Sequence, residues 1–416
     1  MVNLFFKSTF PLALYTGASK TQTFIAKTYR KIARKITKNN AKKVEIDPTI
    51  RNYKNIDQMN RIALKYRSKI DFKAAHDPAA LLELRHVKKS FRLKKPLTDK
   101  SEREIIAVDD ISFKLRPGET LGIIGESGSG KSALGRTILK HHNPTSGQII
   151  FDGDDITSFS DARMKRATNK VIIDVIDDIV DCRVKHKAPL RQRMQIVLQD
   201  QYTTLPARKS VGTILSETAK SHGNVSKDQM QGYVTNLMNR CELADCYKRL
   251  PSEFSARDLQ KICIAKALTS NPKLMIYDAP AIEQSTASSE QTVKLLKDIQ
   301  DSTKLSYVYI SQSPENVKAI SDKVGIMYRG SMVELGSRDD IFENPIHPYT
   351  KALITNTLPT TESADDNLPP ADPTRGCKFY ASCPSASVKC KYVTPAYREH
   401  ERGHFAACHL CDGEID

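Results

Sequence analysis

The sequence predicts an α/β domain built on a largely parallel sheet, and three observations carry that prediction. Short apolar strands alternate with helical segments from Leu81 to about Leu335, a glycine-rich loop joins one strand to one helix, and a later strand ends in a carboxylate. The strands are read at Thr120 to Gly125, Gln195 to Leu198, Leu274 to Asp278, Ser306 to Ile310 and Lys323 to Tyr328. With 416 residues and 39% hydrophobic content, the chain has enough apolar material for one large domain plus appended segments.

Composition limits what such a domain can do. No apolar run approaches the roughly 20 residues of a membrane span, so any passage through a bilayer has to come from other chains. Nine cysteines are too few for a disulfide scaffold of this size, and their crowding near the C-terminus reads as metal binding in a reducing, cytoplasmic compartment. The net charge of +16 is concentrated in an arm, since ten Lys or Arg residues precede the first acid, Glu45. Within that arm Ile25, Tyr29, Ile32, Ala33 and Ile36 share helical spacing with cations between them, which suits a helix on anionic lipid or a solvated tail. Met1 to Ser19 has the look of a signal peptide, but Lys7 interrupts its apolar stretch and the segment is read as uncleaved.

Three regions follow: a basic extension over 1–80, the α/β domain over 81–345 with a helical subdomain at about 205–268, and a C-terminal extension over 346–416. A Pro- and Asp-rich linker, Thr360 to Thr374, precedes the cysteines. Lys170 to Val180 is an insert with Ile172, Val175, Ile176 and Ile179 on one helical face, read as a surface helix.

The loop Gly125-Glu-Ser-Gly-Ser-Gly130-Lys131-Ser132 matches the P-loop pattern in full and opens the helical stretch Ala133 to Lys140. Glycines let successive backbone N–H groups point at phosphate oxygens, and the helix N-terminus adds positive potential. Gly125, Ser127, Gly128, Ser129 and Gly130 are the candidate cradle; Lys131 reaches the terminal phosphates and the Ser132 hydroxyl can ligate Mg²⁺. Asp278, closing the apolar strand Lys273 to Asp278, is placed to hold the same metal, and Gln199 with Asp200 follows another strand.

With these motifs, the stretch from Leu81 to Leu353 resembles the ATPase subunits of oligopeptide and dipeptide ABC importers. Further matches are Ala107 to Phe113, Gly122 to Gly128, Asn143 to Gly147 and Pro345 to Thr350. The resemblance implies an ABC-type P-loop domain with a RecA-like sheet and a helical subdomain. It implies that Phe91 stacks on adenine and that Gln199 occupies the Q-loop.

Several catalytic positions depart from the family. The Leu-Ser-Gly-Gly-Gln signature is replaced by Phe254-Ser-Ala-Arg-Asp258, so only Ser255 and the small Ala256 survive, and Arg257 either adds a cation or blocks closure. The general-base glutamate after Asp278 is Ala279, the switch histidine is Gln312, and the D-loop acid is Ser285. These losses beside an intact P-loop imply a subunit that binds ATP but hydrolyses it weakly.

Cys377, Cys383, Cys390 and Cys408 are spaced C-x5-C-x6-C-x17-C, as a four-cysteine iron–sulfur or zinc site requires, with His409 and Cys411 as spare ligands. Zinc modules more often use C-x2-C pairs, which these four cysteines do not form among themselves. The segment is similar to the C-terminal region that carries a [4Fe-4S] cluster in peptide-importer ATPases, with zinc as the alternative. Cys182, Cys241, Cys246 and Cys263 are read as core filling.

The resemblance implies a peripheral protein at the cytoplasmic face of the inner membrane. Its partners would be a second ATPase subunit, two transmembrane permease subunits and, through the complex, an extracytoplasmic solute-binding protein. The competing expectation is an ABC-type protein that moves no solute and whose basic arm binds nucleic acid.

Overall fold

Alternate residues of the central strands face two different cores, which is why these strands read as nearly continuous apolar runs. The computed structural model describes residues 79–93, 103–159, 189–198, 205–222, 225–279, 286–357 and 376–411, all within one compact unit. The basic arm, the 170–180 insert, Cys182, Gln199, Asp200, Ser285 and the 360–374 linker lie outside the described residues.

An antiparallel sheet in the order β2-β1-β4-β5 is formed by β1 (Leu82–Leu93), β2 (Arg103–Leu115), β4 (Ser146–Phe151) and β5 (Asp154–Asp155). The main sheet contains β3 (Thr120–Ile124), β6 (Met194–Val197), β7 (Leu274–Asp278), β8 (Ser306–Ile310) and β9 (Lys323–Tyr328), parallel neighbours in the order β9-β3-β8-β7-β6. Three more strands, β10 (Ser331–Ser337), β11 (Arg398–Glu401) and β12 (His404–Ala406), extend it antiparallel beyond β9.

Leu121, Ile123, Leu274, Ile276, Val308 and Ile310 pack toward the antiparallel sheet, meeting Leu84, Phe113 and Phe151 and the first helix, α1 (Lys131–Ile138). Their neighbours Met275, Tyr277, Tyr307 and Tyr309 enter the other core, and the Tyr277 and Tyr309 rings stack there at 5.5 Å. That core is covered by α2 (Val211–His222), α3 (Met230–Arg240), α4 (Ala256–Leu268) and α5 (Thr286–Thr303). In α2 and α3 the buried positions Val211, Ile214, Leu215 and Val234, Leu237, Met238 recur at helical spacing, giving each helix one apolar face. Among the described residues no helix is long and apolar enough to cross a membrane.

The C-terminal extension is tied into the main sheet. Glu334 and Leu335 of β10 pair with Ala406 and Phe405 of β12, so the backbone ladder crosses the boundary placed at 345/346. Between these strands lies α6 (Pro348–Ile354), started by a proline at its first turn and capped by His347, whose ring Nδ1 accepts the Tyr349 N–H at 3.0 Å.

Candidate nucleotide-binding site

The phosphate loop leaves the C-terminal end of β3 and enters α1 at Gly130, whose φ of 100° is open to glycine and strained for other residues. A Cβ there would also stand 2.1 Å from the Ala107 carbonyl oxygen, and one on Gly125 would stand 2.2 Å from that of Met327. Both glycines are therefore required by close backbone approach as well as by conformation. The first turn of α1 has neither a side-chain cap nor an acidic residue, so its amides remain available to an anion.

Lys131 is buried, and its Nζ donates to the carbonyls of Gly125 and Glu126, each at 2.7 Å, and to Ser129 Oγ at 3.2 Å. Burial pulls its pKa down to about 8, opposed by the carboxylates of Asp278 and Glu126, which leaves a cation at neutral pH. Asp278 is itself buried at the end of β7, near enough to Lys131 for its carboxylate to oppose that shift. Ser132 is half-buried at the start of α1, while Ser127 and Gly128 are exposed. Phe91, on β1, meets His142 edge-on at 5.2 Å, with Lys89 Nζ 4.8 Å from its ring centroid.

Downstream of Asp278, Ala279 is fixed by its N–H, which donates to the Ile310 carbonyl at 2.8 Å. Gln312 is exposed just after β8. Ser255 caps α4, accepting the Asp258 N–H at 3.2 Å and donating its hydroxyl to Asp258 Oδ2 at 2.7 Å. Ala256 opens that helix, and the Arg257 guanidinium turns to the Gln291 side chain on α5.

The four cysteines of the C-terminal segment interact electrostatically. Burial, reinforced by Cys390, Cys383 and Cys408, pushes the Cys377 thiol up to about 11. The Phe379, Ser385 and Leu410 amides donate to the sulfurs of Cys377, Cys383 and Cys408, each amide two residues beyond its cysteine. Such amide donors stabilise thiolates. Among the described residues, however, no three His, Cys, Asp or Glu side chains stand close enough to share a single ion.

The ABC transporter family matches residues 108–282, and the oligopeptide/dipeptide transporter C-terminal region matches residues 333–390. The oligopeptide transport ATP-binding protein AppF of Bacillus subtilis is 36% identical over 348 residues, spanning 81% of this chain and 99% of that protein. This chain belongs to the ATP-binding proteins of oligopeptide and dipeptide ABC transporters. The dipeptide transport ATP-binding protein DppF of Haemophilus influenzae is 33% identical, over 80% of this ATP-binding protein and 97% of its own length. A solved structure of cbiO1 from Clostridium perfringens, part of an ABC transporter complex, superimposes with a TM-score of 0.51 at 21% identity, covering 64% of this chain and 92% of that one. At that identity the likeness concerns the fold alone.

Sequence reasoning missed two contacts that shape this ATP-binding protein. The Glu126 N–H of the phosphate loop donates to the Tyr349 hydroxyl at 3.2 Å. The fully buried Glu334 accepts the Ile346 and His347 N–H groups and lies 2.8 Å from His404 Nε2. The segment Pro345 to Thr350 had signalled only family resemblance; nothing in it points to the loop 223 residues earlier.

Proposed function

We propose that this chain binds ATP as the hydrolytically weak, regulatory half of an asymmetric ATPase pair in an importer of peptides or related small solutes. The observation that carries this reading is Ala279, fixed at the end of β7 beside Asp278 while the phosphate loop is complete. A methyl group cannot accept a proton from water, and the loss of a general base typically costs ~10²- to 10⁴-fold.

ATP would lie against the loop amides, with phosphate oxygens replacing the carbonyls that Lys131 now contacts. Ser132 and Asp278 would hold Mg²⁺, which neutralises phosphate charge when bound. Phe91 and Gln199 would complete the pocket. Ser255, Ala256 and Arg257 would face the nucleotide held by a second ATPase subunit.

Cys377, Cys383, Cys390 and Cys408 would hold a [4Fe-4S] cluster, which when bound supplies a covalent crosslink and a one-electron couple. Support comes from their mutual field and the amide donors to three of the sulfurs. The relatives' transport roles support two transmembrane permease subunits and an extracytoplasmic solute-binding protein as partners, with the chain peripheral at the cytoplasmic face of the inner membrane. The basic arm would add attraction to anionic lipid.

The test is a fluorescent-ATP titration and a phosphate-release assay on the full chain, with and without Lys131→Ala. Expected are nucleotide binding that the substitution abolishes and phosphate release near background in both proteins. Robust turnover by the wild-type chain, removed by Lys131→Ala, overturns the weak-hydrolysis reading.

A further inference from the structure

We propose that Tyr349 and Lys378 are positioning residues for the bound nucleotide, through which the four-cysteine segment fixes the shape of the phosphate loop. The inference rests on the nucleotide-binding reading above and goes beyond it.

Two separate bridges run from the cysteine segment to the loop. The first begins at Phe379, which lies between Cys377 and Cys383 and whose amide donates to the Cys377 sulfur. Its buried ring packs on Tyr349 at 5.3 Å and on Tyr328 at 5.4 Å. Tyr349 is fully buried, and its hydroxyl accepts the Glu126 N–H of the loop at 3.2 Å. The other end of Tyr349 is also fixed, because its backbone N–H is held by the His347 ring.

The second bridge begins one residue earlier. Lys378 Nζ donates to Ser331 Oγ at 2.7 Å, Asp109 Oδ2 at 2.9 Å and the Arg329 carbonyl at 3.0 Å, which uses all three of its hydrogens. Burial opposes the charge on Asp109, but Lys378 and Lys88 outweigh it and hold the carboxyl below its ordinary range. These contacts fix the turn at Arg329 and Gly330. Gly330 in turn donates its N–H to the Ser129 carbonyl of the loop at 2.9 Å and accepts the Asp109 N–H at 2.8 Å.

Glu126 and Ser129 both belong to the loop whose amides must converge on phosphate. A loop already held in that shape loses less conformational freedom when the nucleotide arrives. Both bridges start at Lys378 and Phe379, so whatever gathers the thiols also holds the loop. Coupling of this kind is reciprocal: if an ordered cysteine segment strengthens ATP binding, bound ATP must protect the cysteine segment.

The experiment uses the full chain as purified anaerobically. Fluorescent-ATP affinity is measured for wild type, Lys131→Ala, Tyr349→Phe and Lys378→Met, with thermal melting as the control for folding. Loss of one neutral hydrogen bond predicts affinity about 3- to 10-fold weaker for Tyr349→Phe, and about 10-fold weaker for Lys378→Met, at nearly unchanged melting temperature in Tyr349→Phe. In parallel, the rate at which a thiol-alkylating reagent modifies the cysteine segment is followed with and without saturating ATP. Wild type should be protected several-fold and Tyr349→Phe should lose that protection. Affinities equal to wild type in both variants, while Lys131→Ala abolishes binding, overturn the positioning role and leave the nucleotide reading intact. Absence of binding by wild type overturns both, and alkylation rates indifferent to ATP overturn the link to the cysteines.

Discussion

Glu334→Gln should destabilise the chain and erase one limb of its pH–stability profile. Glu334 is fully buried on β10, where a carboxylate is tolerable only when paired and hydrogen-bonded. It accepts the Ile346 N–H at 2.8 Å and the His347 N–H at 2.9 Å, and His404 Nε2 lies 2.8 Å away. The amide keeps one oxygen and turns an NH₂ toward a donor. At least one buried donor is then left unpaired at ~1–3 kcal/mol, and removing one partner of a buried ion pair costs ~3–5 kcal/mol. Because the same contacts appear in both figures they do not add, and the expected loss is ~3–5 kcal/mol, roughly a 10 °C fall in melting temperature.

The pH dependence separates this network from generic packing. The hydrogen bond to Glu334 is the largest cause raising the His404 pKa above its ordinary value. The stability from that pair is therefore fully present below about pH 6.5 and is lost as pH rises through the raised folded value. His347 behaves oppositely. Burial depresses its pKa from 6.5 to about 4, so its neutral ring contributes above pH 6.5 and that contribution disappears as pH falls toward 4. A shift of about 2.5 units at 1.36 kcal/mol per unit makes the acid limb ~3 kcal/mol deep. Urea unfolding from pH 4 to 9 is the assay. Glu334→Gln should remove the alkaline limb and keep the acid limb, where the His347 cap of α6 is still lost. A variant within 1 kcal/mol of wild type at pH 7, with its alkaline limb intact, refutes the reasoning.

Two further outcomes follow from the same geometry. Asp258→Gln frees the Ser255 hydroxyl from the carboxylate it now contacts and removes an anion from the first turn of α4, so phosphate release by the assembled complex should rise about 3- to 10-fold; no rise counts against the proposed role of Asp258. Anaerobically purified protein should be brown with about four irons per chain, and Cys383→Ser should bleach it, whereas stoichiometric zinc in a colourless protein contradicts the cluster.

The parallel strands were legible because burial on both faces confines charge to their ends, and their bounds agree with the sequence expectation to within one residue. β1 was not legible as a strand. Its inward residues Leu82, Leu84 and Val87 break strict alternation, and its pairing with β2 shifts register between Leu84 and Val87. β12 has only three residues, His404–Ala406, too few to carry a period, so its pairing with β10 was not legible. The phosphate loop was legible because its chemistry needs consecutive residues. Its supports were not, because Tyr349 reaches it through one hydroxyl 223 positions away, and Lys378 acts only through the turn at Arg329 and Gly330.

The signature segment shows how geometry ranks two substitutions that composition leaves opposed. Arg257 brings a cation and Asp258 an anion to adjacent positions, and a charge count alone calls them neutral. In the folded chain the Arg257 guanidinium is engaged by Gln291, whereas the Asp258 carboxylate sits in the first turn of α4 with the Ser255 hydroxyl bonded to it. A phosphate placed at that helix end would face the Asp258 carboxylate as well as the Arg257 cation. It also finds Ser255, the one polar residue retained from the signature, already donating elsewhere. Beside the expectation that Arg257 attracts the phosphate or obstructs closure, the fold adds a second obstacle, a local anion. In the asymmetric reading proposed above, Ala279 would weaken the site built on this chain's own phosphate loop, and Asp258 would weaken the site it completes for a partner. The asymmetric reading consequently requires the second site to work against Asp258, which is why Asp258→Gln tests it more sharply than restoring a glutamate at Ala279.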